Sequence, residues 1–109
     1  MATAEVFSGV CGFTTRIHAK AGEKRAVELS IETECPNVAK MIGKLEKVDP
    51  FKELFNKLHE TETYKVTSGA LPHPGCPVPS GIFKAIEVAA GMALPRDAHI
   101  RLTDQDPNG

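Results

Sequence analysis

The stretch FTTRIHAKAGEKRAVELSIETEC, residues Phe13 to Cys35, decides the fold. In its first half Phe13, Thr15, Ile17, Ala19 and Ala21 alternate with Thr14, Arg16, His18 and Lys20. From Ala26 onward Val27, Leu29 and Ile31 alternate with Glu28, Ser30 and Glu32. A period of two is that of a strand with one buried face. Gly22-Glu23-Lys24 lies between the runs, so they read as an antiparallel hairpin. Both apolar sets have odd numbers, and only an even shift of pairing keeps them on one face. A three-residue loop at Gly22 to Lys24 sets Ala19 opposite Val27, Ile17 opposite Leu29 and Thr15 opposite Ile31. On the polar face the same register brings His18 to Glu28 as a favourable cross-strand pair. It also brings Cys11 opposite Cys35 at the open end of the hairpin, both on the side of the apolar face.

Beyond Cys35 the period changes. Val38, Met41, Ile42 and Leu45, with Val48 one turn later, form a helical stripe, and Pro36 suits a first helical position. Asp49-Pro50 is a cap followed by proline, and it opens a second helix carrying Phe51, Leu54, Phe55 and Leu58. A short strand is expected around Tyr64 to Val66, followed by a rigid Gly- and Pro-rich loop from Ser68 to Pro79. A third helix runs from Ser80 to about Met92 with Ile82, Phe83, Ile86, Ala89 and Ala90 on one face. Ala98, Ile100 and Leu102 alternate with His99 and Arg101, which reads as a last short strand. The expected fold class is therefore α+β, an antiparallel sheet built on the N-terminal hairpin and packed by about three helices. It forms one domain over residues 1–103 with a frayed tail at 104–109.

Composition narrows the function classes. The chain has 109 residues, 41% of them hydrophobic, which supports one core. The net charge of -1 comes from 13 basic and 14 acidic side chains without a basic run, so nucleic acid is not an expected partner. No apolar run approaches the ~20 residues that span a bilayer, and the first residues lack a leader pattern. A soluble, cytoplasmic protein is expected. There is no phosphate-binding glycine loop, no CxxC and no HExxH, and Glu53, Glu60 and Glu62 read as solvated side chains. No catalytic residue stands out.

What remains is three cysteines, Cys11, Cys35 and Cys76. In a reducing compartment an odd count leaves metal binding, redox chemistry or plain burial. Cys35 and Cys76 each precede a proline at the start of an expected helix, where free N–H groups favour a thiolate. Two such helix starts and the mouth of the hairpin would form a three-sulfur cup for zinc or an iron-sulfur cluster. Both usually take four ligands, and His73, in the loop before Cys76, is the candidate fourth.

The order hairpin, cysteine, helices, loop, cysteine, long helix resembles the U-type iron-sulfur cluster scaffold family, the IscU and NifU N-terminal (SufE/NifU-like) proteins. Cys11-Gly12, Cys35 and Cys76 match that family's three cysteines in order and approximate spacing, over roughly Val10 to Ala90. The resemblance implies cofactor binding at these three residues, and a cysteine desulfurase or a cluster-accepting protein as partner. Phe13 stands where the family has an Asp, Gly75 where it has a His, and only Leu71-Pro72 remains of its chaperone motif. These departures favour a stable metal or cluster site over transient assembly and hand-over. Two other readings stay open: a metal-free interaction module with buried or redox-sensitive cysteines, and a sulfur-transfer protein accepting a persulfide on one exposed thiol.

Overall fold

A computed structural model describes residues 1–105. The expected hairpin is present as β2 (Thr14–Ala21) and β3 (Val27–Thr33). Its register is two residues away from the expected one: Ile17 pairs with Ile31, Ala19 with Leu29 and Ala21 with Val27. The loop is longer than three residues because a 3-10 turn occupies Glu23–Arg25, closed by Gly22 N–H donating to the Ala26 carbonyl at 2.7 Å. Lys24 and Arg25 both adopt left-handed backbone, with φ of 55° and 66°, conformations uncommon for residues with a Cβ. An even shift preserves parity, so Ile17, Ala19, Val27, Leu29 and Ile31 are all buried on one face as expected. The polar pairing does change. His18 faces Ser30 instead of Glu28, and its Nε2 lies 3.0 Å from Glu32 Oε1.

Two strands were not anticipated from the sequence. β1 (Ala2–Phe7) pairs antiparallel with β2 and puts Ala2, Ala4 and Val6 beside Ala19, Ile17 and Thr15. Its inward residues are mostly small, so the alternation carries little hydrophobic signal. β4 (Lys47–Val48) adds to the far side of β3, giving an antiparallel sheet in the order β1-β2-β3-β4. Val48 thus belongs to a strand and not to a helical stripe. The helix expected to reach it is short, α1 (Pro36–Ala39), and its continuation winds through turns to Gly43, whose φ is 87°. Val38, Met41 and Leu45 are nevertheless buried, while Ile42 is exposed.

α2 (Pro50–Phe55) begins as expected, with Asp49 Oδ1 accepting the Phe51 N–H at 3.0 Å. Its inward face is Pro50 and Glu53, with Leu54 half-buried against the core as expected; Phe51, Phe55 and Leu58 face solvent, and Leu58 lies in a separate 3-10 turn. The segment around Tyr64 to Val66 is not a strand but part of α3 (Glu62–Ala70), which also absorbs the start of the expected loop. Two side chains open that helix. Thr61 Oγ1 accepts the Tyr64 N–H, and the buried Glu53 carboxylate accepts the N–H groups of Glu62 and Thr63, each at 2.8 Å. Glu53 is therefore a structural carboxylate and not a solvated one.

α4 (Val78–Ala89) buries Val78, Ile82, Ala85 and Ile86 against the sheet. It ends before Met92 because Gly91, at φ 75°, closes a Schellman motif: Gly91 N–H donates to the Val88 carbonyl and Met92 N–H to that of Glu87. Among the described residues four α-helices, where about three were expected, thus form the layer on one face of the sheet. α4 lies along β1 and β2, and α1 lies against β3. Contact between α4 and β1 is close enough that a Cβ on Gly81 would fall 2.4 Å from Val6 Cγ2. Gly81→Ala should therefore destabilise the fold by about 1–2 kcal/mol, since overpacking outweighs the gain in helix propensity. Urea unfolding checks this, and an unchanged midpoint would contradict it.

The expected final strand does not form. Residues 98–102 make no ladder, and every described residue from Leu94 onward is exposed. Of the expected tail, residues 104 and 105 form an exposed bend, and 106–109 lie outside the described residues.

Candidate functional site

Each cysteine sits where one element passes into the next. Cys11 lies in the turn over residues 8–13 between β1 and β2, closed by Ser8 N–H donating to the Phe13 carbonyl and Gly12 N–H to that of Gly9. Gly9 and Gly12 supply the turn's positive φ angles of 83° and 75°. Cys11 itself is exposed. The observed register removes the expected pairing of Cys11 with Cys35: Phe7 pairs with Thr14, Thr15 with Thr33, and Cys11 lies beyond the ladder.

Cys35 is the N-cap residue of α1, as the sequence suggests. It is half-buried and packs against the core. Its N–H donates to Thr33 Oγ1 at 3.1 Å, and that hydroxyl also bonds Thr15 Oγ1 at 2.7 Å. The chain leaving β3 is thereby tied to the start of β2. Cys76 is likewise half-buried against the core and directly precedes Pro77, the N-cap of α4. The first turn of α4 carries Gly81, which meets Val6, the penultimate residue of β1. His73 is exposed in the preceding loop, its Nδ1 turned toward Gly75.

One end of the sheet therefore gathers all three residues. It is the end where β1 stops, β2 starts, β3 stops and α4 begins. The gathering is loose. Among the described residues, no three His, Cys, Asp or Glu side chains form a group able to hold a metal ion, and all three thiols are free. Among the described residues the cysteines and His73 share no coordination sphere.

The sheet face away from the helices carries a second polar set that reading the hairpin alone does not assemble, because it needs β1. Arg16 Nε donates to Glu5 Oε2 at 2.9 Å, and His18 bridges Thr3 Oγ1 through Nδ1 and Glu32 through Nε2, each at 3.0 Å. Thr14 N–H donates to Glu34 Oε1 at 3.2 Å. A shallow depression is lined by Glu5, Thr14, Arg16, Glu32, Thr33 and Glu34. Its charged groups are exposed and mutually satisfied, and such pairs contribute ~0–1 kcal/mol each. This is a solvated strand face that helps set the order of β1, β2 and β3, and no nucleophile or buried acid lies in it.

No curated protein and no solved structure matches the chain. A family model described as a family of unknown function (DUF6951) matches residues 2–102, which spans every strand and helix and most of the segment after α4. The chain belongs to the DUF6951 family.

Proposed function

We propose that the protein binds a metal ion or an iron-sulfur cluster through Cys11, Cys35 and Cys76, on a fold related to the U-type scaffold proteins. The supporting observation is that three cysteines far apart in sequence lie at one end of the sheet, each at a different junction of elements. The donor set fits: thiolates are preferred ligands of zinc and of cluster iron. A bound zinc would tie the turn, the start of α1 and the start of α4 together, and binding energy of this kind is folding energy. Cys35 and Cys76 would be the ligands anchored by the core. Cys11 would be the mobile one, because its turn must shift toward them, and no atom lies within 4 Å of a Cβ built on either flanking glycine. His73 or a ligand from outside would complete the set.

A metal-free interaction module is the second reading, favoured by the packing of Cys35 and Cys76 against apolar side chains, where a thiol behaves as a small hydrophobe. Elemental analysis of anaerobically purified protein distinguishes the two. The metal reading expects near-stoichiometric zinc or iron, falling at least ~10-fold in Cys35→Ala, a loss on the scale produced by damage to a metal site. Trace metal unchanged by that substitution would overturn it. In the second reading the metal-free protein reacts with a thiol reagent rapidly at Cys11 alone.

A further inference from the structure

Besides the outer side of the two-residue edge strand β4, two pieces of strand chemistry lie unpaired among the described residues. β1 is an edge strand: among the described residues it pairs only with β2, so the backbone groups on its other side have no ladder partner. An exposed edge of this kind is a template for another strand. The second piece follows α4. Ala98, Ile100 and Leu102 alternate with His99, Arg101 and Thr103, the pattern of a half-buried strand, yet Ile100 is 76% and Leu102 87% exposed. The segment does not fold back over its own sheet. It leaves the body of the protein as an arm, and the molecule measures 52 Å along one axis against 29 and 24 Å along the others.

We propose that Ala98 to Leu102 of one copy docks antiparallel on the β1 edge of a second copy, with reciprocal exchange giving a two-fold dimer. Pattern and charge support the pairing. With Ile100 opposite Val6 and Leu102 opposite Ala4, the arm's apolar residues join the face on which Val6 and Ala4 already pack against the core. In this register Arg101 falls opposite Glu5 on the outer face, where the carboxylate that already pairs with Arg16 would lie between two guanidinium groups. A one-residue slip would turn Ile100 and Leu102 outward, so alternation selects the parity of the register. The family match runs from Ala2 to Leu102, from the first residue of the edge strand to the last apolar residue of the arm. Because the arm is exposed in the single chain, its occupant must come from outside that chain. Exchange between identical copies closes both edges at once with an isologous interface.

Light scattering coupled to size exclusion, run on the full chain over a range of concentrations, tests the proposal. The expected result is a dimer. Ile100→Asp and Leu102→Asp should each raise the dimer dissociation constant by at least tenfold. Neither should alter the far-ultraviolet circular dichroism of the dissociated chain, because both side chains are exposed before docking. Hydrogen exchange should show the amides of Ile100 and Leu102 protected in the dimer and open in the Asp variants. A monomer at every concentration would overturn the proposal, as would a dimer indifferent to Ile100→Asp. Protection of the arm amides in a chain that stays monomeric would also overturn it, by placing the arm on its own sheet.

Discussion

Replacing Glu53 with Ala should lower the unfolding free energy by about 2–4 kcal/mol, a large share of the ~5–15 kcal/mol available to a domain of this kind. Glu53 is 4% exposed and lies in α2, yet its carboxylate does its work at the start of α3. One oxygen accepts from Glu62 N–H, and the other accepts from both the N–H and the hydroxyl of Thr63. Thr61 takes the next N–H, that of Tyr64. Two side chains thus satisfy three of the four N–H groups that a helix start leaves without partners. Alanine would strand two backbone donors and one hydroxyl in a region with little access to water, where each unmet donor costs about 1–3 kcal/mol. Urea unfolding measures the loss as a midpoint lower by roughly 1.3–4 M, taking a slope of about 1–1.5 kcal/mol/M. Glu53→Gln keeps one acceptor oxygen, so it should fall between wild type and Glu53→Ala. A loss below ~0.5 kcal/mol in the alanine variant would show that water replaces the carboxylate and that the contact is dispensable.

Ile17→Ala should cost about 3–4 kcal/mol, within the range measured when large aliphatic side chains are cut back in packed cores. Ile17 has no exposed surface, pairs laterally with Ala4 and Ile31, and meets α4 where Gly81 brings the helix close. The site is enclosed by a sheet on one side and a helix pinned by its glycine on the other, so it has little room to collapse around a cavity. The expected consequence is a thermal midpoint lower by roughly 10–25 °C. Its neighbour is the control. Arg16→Ala removes an exposed ion pair with Glu5 on the opposite face and should cost less than ~1 kcal/mol. Similar losses at the two positions would mean that the inward and outward faces have been assigned wrongly.

The errors in reading the sequence have physical causes that differ from element to element. The hairpin register moved because loop length depends on whether Lys24 and Arg25 accept left-handed backbone, and neither side chain advertises that conformation. β1 carries little sequence signal because Ala2 and Ala4 bury too little area to mark a face, and their importance comes from the residues they pair with. α3 contains Thr63, Val66 and Thr67, which favour strands in isolation, and it is helical because Glu53 and Thr61 cap it and α4 packs on it. Phe51, Leu54, Phe55 and Leu58 fit a helical period, but α2 ends at Phe55 and turns Pro50 and Glu53 inward, leaving only Leu54 of that set against the core. For the candidate site, the placement of Cys35 at a helix N-cap and of Cys76 just ahead of the last helix was legible, since proline after each cysteine marks a helix start. The position of Cys11 was not, because it depends on β1 ending at Phe7.

By itself, then, the sequence determined which side of β2 and β3 faces the core, where α2 begins, that a last helix follows Cys76, though it starts at Val78 and not at the expected Ser80, and that three thiols precede or follow regular elements. These are properties of parity and of local capping, and an even shift of register or a different neighbour leaves them unchanged. Only the tertiary structure decided the pairing of β1, the start of α3 under a distant carboxylate, and the gathering of Cys11, Cys35 and Cys76 at one end of the sheet. It also left Ala98 to Leu102 without a partner inside the chain. Each of these depends on free energy shared between segments far apart in sequence, and no single segment carries that information.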